Sequence, residues 1–192
     1  SEDQIYVSNG YPLLIDTPDG LTQNKLSHTF SIGFIRDMPI NSARNLAFGL
    51  GLGLNYNVVY TNLQFTDDME ATSFVSSDVI NQWNSVDAEI PLELRWRSST
   101  PDNYQFWRVY GGVVGYYSLS AKQRTKTALT DSISSLSVQN FRLALRLNVG
   151  NNTWNLTYTH PIDLFFDFDK STHNKSFSHL KTAKLGLIFY IF

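Results

Sequence analysis

Residues 45–60 read Asn-Leu-Ala-Phe-Gly-Leu-Gly-Leu-Gly-Leu-Asn-Tyr-Asn-Val-Val-Tyr. Leu46, Phe48, Leu50, Leu52, Leu54, Tyr56, Val58 and Tyr60 occupy the even positions, against Ala47, Gly49, Gly51, Gly53, Asn55 and Asn57 on the odd ones. A period of two is that of a strand, whose successive side chains point to opposite faces. Alternate glycines weaken a strand unless that face meets a crowded interior. The other face is too long and too purely apolar for water, and tyrosines near one end of it suit a lipid-water boundary. The stretch therefore predicts one wall of a narrow membrane β-barrel, with glycines inward and leucines toward lipid.

The rest of the composition agrees. A chain of 192 residues is expected to form one domain, spanning 1–192. No apolar run approaches the roughly 20 residues of a transmembrane helix. That excludes helical spans and leaves barrels, whose hydropathy alternates. An aromatic content of 14% fits girdles at both interfaces. The absence of cysteine excludes disulfides and thiolate metal sites. A net charge of -2 gives no basic surface for nucleic acid. No positively charged, apolar leader opens the sequence, so export requires Ser1 to be a processed start.

Before this stretch, Ser27 to Arg36 places His28, Phe30, Ile32 and Phe34 opposite Ser27, Thr29, Ser31 and Gly33, which predicts a strand. Asp37 to Ser42 reads as the turn between these two strands. Upstream, Asp3 to Tyr11 alternates weakly as a first strand, and Pro12 to Lys25, with Pro18-Asp19-Gly20, reads as a loop. Downstream, Thr61 to Asn84 is polar and acidic and reads as a long loop. Val86 to Arg97 then sets Val86, Ala88, Ile90, Leu92, Leu94 and Trp96 against Asp87, Glu89, Pro91, Glu93, Arg95 and Arg97. Pro91 cannot donate to the ladder, so a bulge or local break is expected there.

Ser98 to Asn103 reads as a tight connection, Tyr104 to Leu119 as strand five and Ser120 to Ser135 as another long loop. Strand six, Leu136 to Val149, turns Leu143 and Leu145 outward and Arg142 and Arg146 inward. Gly150-Asn151-Asn152 suits a hairpin turn, Thr153 to His160 is strand seven, and Pro161 to Ser178 is a last long loop. Leu180 to Phe192 closes the sequence, with Ala183, Leu185, Leu187, Phe189 and Ile191 outward and Lys184 inward. Long and short connections thus alternate around eight strands. In outer-membrane barrels the short turns are periplasmic and the strand count is even, so both termini are expected in the periplasm. A soluble barrel would show the same alternation with its faces exchanged. Its narrow interior could not hold so many large apolar side chains.

Phe34-Ile35-Arg36-Asp37-Met38-Pro39-Ile40-Asn41, the Gly-Leu-Gly-Leu stretch, Ile90 to Arg97, Phe106-Trp107-Arg108-Val109-Tyr110 and the ending Leu185 to Tyr190 resemble the PorT-like outer-membrane barrels. The likeness covers most of the chain outside the long loops. It implies an integral outer-membrane barrel with no catalytic motif to carry over. Some members of that family are linked to type IX protein secretion, so the resemblance implies protein partners in an envelope complex.

The candidate site is the inward charged face. Glu89, Glu93, Arg95, Arg97, Arg108, Arg142 and Arg146 are expected to meet inside the barrel as a plug of paired charges, since buried charges need partners and a narrow lumen is filled. Leu46, Phe48, Leu50, Leu52, Leu54, Leu92, Leu94, Trp96, Leu143 and Leu145 are expected to face the bilayer and, at one rim, outer-leaflet lipid. A pore or ligand-binding barrel would instead need the space beside Gly49, Gly51 and Gly53 to stay open rather than receive a side chain such as Arg108 or Tyr110.

A lipid-modifying enzyme would need a nucleophile beside a base. Ser178 and His179 are adjacent, and neighbours on a strand point to opposite faces. His28 and His160 suit the membrane boundaries, and no catalytic residue, metal or cofactor is expected. Asp67, Asp68 and Glu70 lack the spacing of a calcium loop. Asp131-Ser132-Ile133 resembles a short bacterial O-glycosylation signal at Ser132.

Overall fold

The computed structural model describes residues 2–15, 23, 27–61, 63–65, 71–74, 80–98, 107–126, 131–135, 141–162 and 181–191. Their strands are β1 (Glu2–Ile15), β2 (His28–Pro39), β3 (Leu46–Thr61), β4 (Leu63–Phe65), β5 (Ala71–Phe74), β6 (Ile80–Arg97), β7 (Trp107–Lys126), β8 (Asp131–Ser135), β9 (Phe141–Asn151), β10 (Trp154–Ile162) and β11 (Lys181–Ile191). The main sheet runs β6-β3-β2-β1-β11-β10-β9-β7-β8, and a further β6–β7 pairing closes it. All of these pairings are antiparallel. β8 lies along the far end of β7, and β4 with β5 forms a separate hairpin. Eight strands therefore close an all-β, antiparallel up-and-down barrel.

The two faces invert those of a water-soluble barrel. Exposed positions on β2 and β3 include Phe30, Ile32, Phe34, Phe48, Leu50, Leu52 and Leu54, whereas Thr29, Ser31, Asp37, Asn55 and Asn57 are buried. Leu52 is 63% exposed and Asn55 1%. In water such an arrangement would leave a large apolar patch uncovered around the molecule. The small apolar core inside is local: Tyr6, Ile35 and Ile188 pack together, as do Val114, Tyr116 and Ala144.

Several boundaries differ from the reading of the sequence, for physical reasons. β1 continues through Pro12, Leu13, Leu14 and Ile15, which pair with Lys184, Ala183, Thr182 and Lys181. An apolar run after a proline hides the alternation there. β6 begins at Ile80, β7 reaches Lys126, and β8 falls within 120–135, so the stretches expected as long loops carry ladder of their own. Alternation fades there because a ladder needs only backbone, while a period of two needs faces in different surroundings. Residues 104–106 and 136–140, which the sequence reading assigned to strands five and six, and 163–180, which take in most of the last loop and Leu180 of the closing strand, lie outside the described residues.

The ladder between β3 and β6 lapses at Pro91: the pairs run Leu50 with Leu92 and then Gly53 with Glu89. The β6–β7 bulge sits elsewhere, between Val86 and Asp87. Gly150 and Asn151 remain in the β9–β10 ladder, so the hairpin turns on Asn152 and Thr153, with Asn152 at a φ of 55°. Asparagine tolerates that left-handed conformation better than most residues. Ala183, on the outward register of β11, is only 1% exposed.

Candidate functional site: the charged lumen

β6 supplies Asp87, Glu89, Glu93, Arg95 and Arg97 on one face, so a single strand carries both signs of charge into the barrel. At the turn end, Arg95 is wholly buried and pairs with Asp37. Its Nη2 donates to Gln4 Oε1 at 3.1 Å, and its Nε lies 3.7 Å from Glu93 Oε2. The same guanidinium lies over the rings of Tyr110 and Tyr190, at 4.0 and 4.7 Å from their centroids. Such contacts strengthen when desolvated. Arg97 also pairs with Asp37 and donates through Nε to the Tyr110 hydroxyl at 3.1 Å. Asn148 bridges Glu93 Oε1 at 3.3 Å and the Tyr190 hydroxyl at 2.9 Å.

Half-way up, Glu89 collects three donors: the Tyr6 hydroxyl at 2.5 Å, Arg146 Nη2 at 3.0 Å and the Ser31 hydroxyl at 3.4 Å. Arg146 also donates to the Tyr116 hydroxyl at 3.0 Å. At the loop end, Asp87 accepts from Arg142 at 2.6 Å and from Asn57 at 3.1 Å. Asn57 donates to Asn55 at 2.7 Å, and Asn55 donates in turn to Thr29 at 3.0 Å and Ser31 at 2.7 Å. Lys184 Nζ donates to Asn55 Oδ1 at 2.6 Å and lies 4.3 Å from the Tyr116 ring centroid.

The glycines explain how so many side chains fit. A Cβ on Gly49 would lie 2.7 Å from Arg95 Cδ, and one on Gly51 would lie 2.9 Å from Pro91 Cγ. Gly33 and Gly53, paired across β2 and β3, both give their space to the Tyr6 hydroxyl. The inward glycines of β3 are therefore occupied by Arg95, Pro91 and Tyr6 rather than by Arg108 or Tyr110.

The seven charged residues singled out in the sequence do not meet at one point. Glu93, Arg95 and Arg97 belong to the turn-end cluster, Glu89 and Arg146 to the middle, and Arg142 to the loop end. Arg108 is buried opposite Arg97 in the β6–β7 ladder. Sequence reasoning missed Asp37, which stands inside the barrel on β2 rather than in the turn. Its signal was present, since Ser27, Thr29, Ser31, Gly33, Ile35 and Asp37 share one parity; Asp-Met-Pro composition concealed it. Tyr6, Gln4, Asn148 and Tyr190 were missed because nothing in a lone strand says which residues lie across the lumen.

Phe48, Leu50, Leu52, Leu54, Leu92, Leu94, Trp96 and Leu145 are exposed on the outer surface, and Leu46 and Leu143 are half-buried. His28 is exposed with its ring edge-on to Tyr56, and His160 Nδ1 lies 3.1 Å from the Tyr158 hydroxyl. These two histidines are on separate strands, β2 and β10. Ser132 is in β8, paired with Thr125. His173, Ser178, His179, Asp67, Asp68 and Glu70 lie outside the described residues. Among the described residues, no three of His, Asp and Glu are grouped as metal ligands would be.

Residues 5–190 match the model of the outer membrane protein beta-barrel domain family. The chain belongs to this family. It is accordingly an integral protein of the bacterial outer membrane. Among solved structures it is similar to the crystal structure of Ail, the attachment invasion locus protein of Yersinia pestis, with 10% identity, 98% of this chain and 96% of that chain covered, and a TM-score of 0.43. The backbone structure of Yersinia pestis Ail in a phospholipid bilayer nanodisc gives 14% identity, coverage of 99% and 100%, and a TM-score of 0.35. A triple mutant of the Rhodopseudomonas blastica porin gives 12% identity, 99% coverage of both chains and a TM-score of 0.19. No curated protein matches the chain.

Proposed function

We propose that this barrel is a non-catalytic scaffold or subunit of an envelope complex, with its lumen serving as a structural plug. The observation that carries the reading is the occupation of the inward glycines by Arg95, Pro91 and Tyr6, together with the ion pairs that cross the lumen at every level. A narrow eight-stranded interior filled in this way leaves the outer surface and the two ends to do the work. The apolar outward residues then meet lipid, the short turns and both termini face the periplasm, and the extended hairpins of β6, β7 and β8 stand on the outer side. The likeness to PorT-like barrels makes protein secretion of the type IX kind the favoured setting.

Asn9 supports a protein partner in the plane of the membrane. It is exposed on the outward register of β1, between Phe30 of β2 and Leu187 of β11, and its side chain meets no hydrogen-bond partner among the described residues. An unsatisfied amide in hydrocarbon costs several kcal/mol. A neighbouring protein would relieve that cost. The test is extraction of the native membrane in mild detergent, followed by affinity purification of the barrel. A reproducible set of co-purifying envelope proteins, diminished by Asn9→Leu, is the expected result; a single partner-free species would contradict the reading.

A further inference from the structure

The lumen contains a small cavity of about 20 Å³ toward its loop end, lined among others by Ser8, Thr157, Thr159, Arg146 and Lys184. That is room for about one water or one ion of similar size. The charged side chains in its walls are of one sign. Two are cationic and the rest of those named are hydroxyls, with no carboxylate among the lining residues. The paired glycines Gly10 and Gly186 form another wall without side chains.

Charge balance in this half of the lumen points the same way. Asp87 and Glu89 are its acids among the described residues, against Arg142, Arg146 and Lys184. Asp87 is taken by Arg142 and Asn57, and Glu89 by Tyr6, Ser31 and Arg146. Lys184 is left with a neutral amide, Asn55, and an aromatic face, Tyr116. An ammonium has three protons to donate, and here one goes to Asn55. Arg146 adds a second cation to the lining, with its Nη2 committed to Glu89 and the Tyr116 hydroxyl. Thr29 and Ser31, which also line the cavity, already donate to Asn57 and Glu89, whereas Ser8, Thr157 and Thr159 make no side-chain hydrogen bond among the described residues.

Unused donors and a surplus cation around a small space call for an acceptor that carries negative charge. We propose that the cavity binds one small monovalent anion of the chloride class, held by Lys184 and Arg146 and by the hydroxyls of Ser8, Thr157 and Thr159. The anion is a structural counter-ion that completes the loop-end half of the plug, and the inference stands whether or not the barrel works within a complex.

The experiment uses the whole folded chain in detergent, with chloride and bromide as the probes. Urea unfolding is followed in sodium chloride and in sodium gluconate at equal ionic strength. A ligand bound only by the folded state raises the apparent folding constant by up to about tenfold for each tenfold rise in its concentration above the dissociation constant. The expected result is a higher midpoint in chloride for the wild type, no such difference in Lys184→Gln, and a reduced one in the isosteric Thr159→Val, which keeps the charge and serves alone if Lys184→Gln does not fold. Crystals soaked in bromide should show an anomalous peak between Lys184 and Thr159. Equal midpoints in the two salts, or a cavity that holds water without bromide, would overturn the proposal. So would a chloride effect that survives undiminished in the variants.

Discussion

The two ends of the lumen use the same residue types in different surroundings. At the turn end, Asp37, Glu93 and Arg95 are 1%, 2% and 0% exposed, and two tyrosine rings cover the guanidinium. At the loop end, Arg142 leaves 39% of its side chain exposed while it holds Asp87, and amides and hydroxyls carry most of the remaining bonds. Coulomb attraction grows as the local dielectric falls, and so does the penalty for leaving a charge alone. An arginine near the short turns should therefore matter several times more than one near the long loops. The turn end locks the barrel; the loop end tolerates exchange with water.

The largest expected effect comes from Arg95→Met. It deprives Asp37 of one of its two arginines and removes the cation nearest Glu93, and loss of one partner from a buried pair costs about 3 to 5 kcal/mol. Urea unfolding followed by tryptophan emission should show a large fall in midpoint, or no folded form on a heat-modifiability gel. A wild-type midpoint would mean that the turn-end charges do not hold the barrel.

The outward band and the extension beyond it present exposed side chains to different media. Leu52→Arg should cost about 2 to 4 kcal/mol if that position lies near the middle of the bilayer, falling to near zero for Ile133→Arg on β8, which lies outside the hydrocarbon in this account. Both side chains are well exposed, at 63% and 68%, so burial within the protein does not separate them. Equal folding yields in liposomes would break the assignment of one to lipid and the other to water.

The smallest effect is expected from Arg142→Gln. Its pair with Asp87 is half open to solvent, where ion pairs contribute at most about 1 kcal/mol, and Asn57 remains on the carboxylate. A loss as large as that of Arg95→Met would erase the distinction between the two ends.

How far the sequence foretold this depends on whether the two sides of a strand differ. β3 and the second half of β6 were legible because leucines and tryptophan alternate with glycines or charges. The beginnings of β6 and β8 and the end of β7 were not, since polar residues fall on both faces there. Asp37 was hidden by turn-like composition, although its parity placed it with Thr29 and Ser31. Register was the least legible quantity: Tyr6 fills the space beside Gly33 and Gly53 because β1 lies next to β2 in the closed sheet, and no local pattern in residues 3–11 announces that.

Conductance in planar bilayers reads directly whether the lumen is filled. Folded protein, verified by heat-modifiable mobility, should insert without producing current steps, because Arg95, Tyr6, Arg146 and their partners block the path at successive levels. Reproducible steps of uniform size from the wild-type barrel would show that the lumen is open, and would contradict the plug.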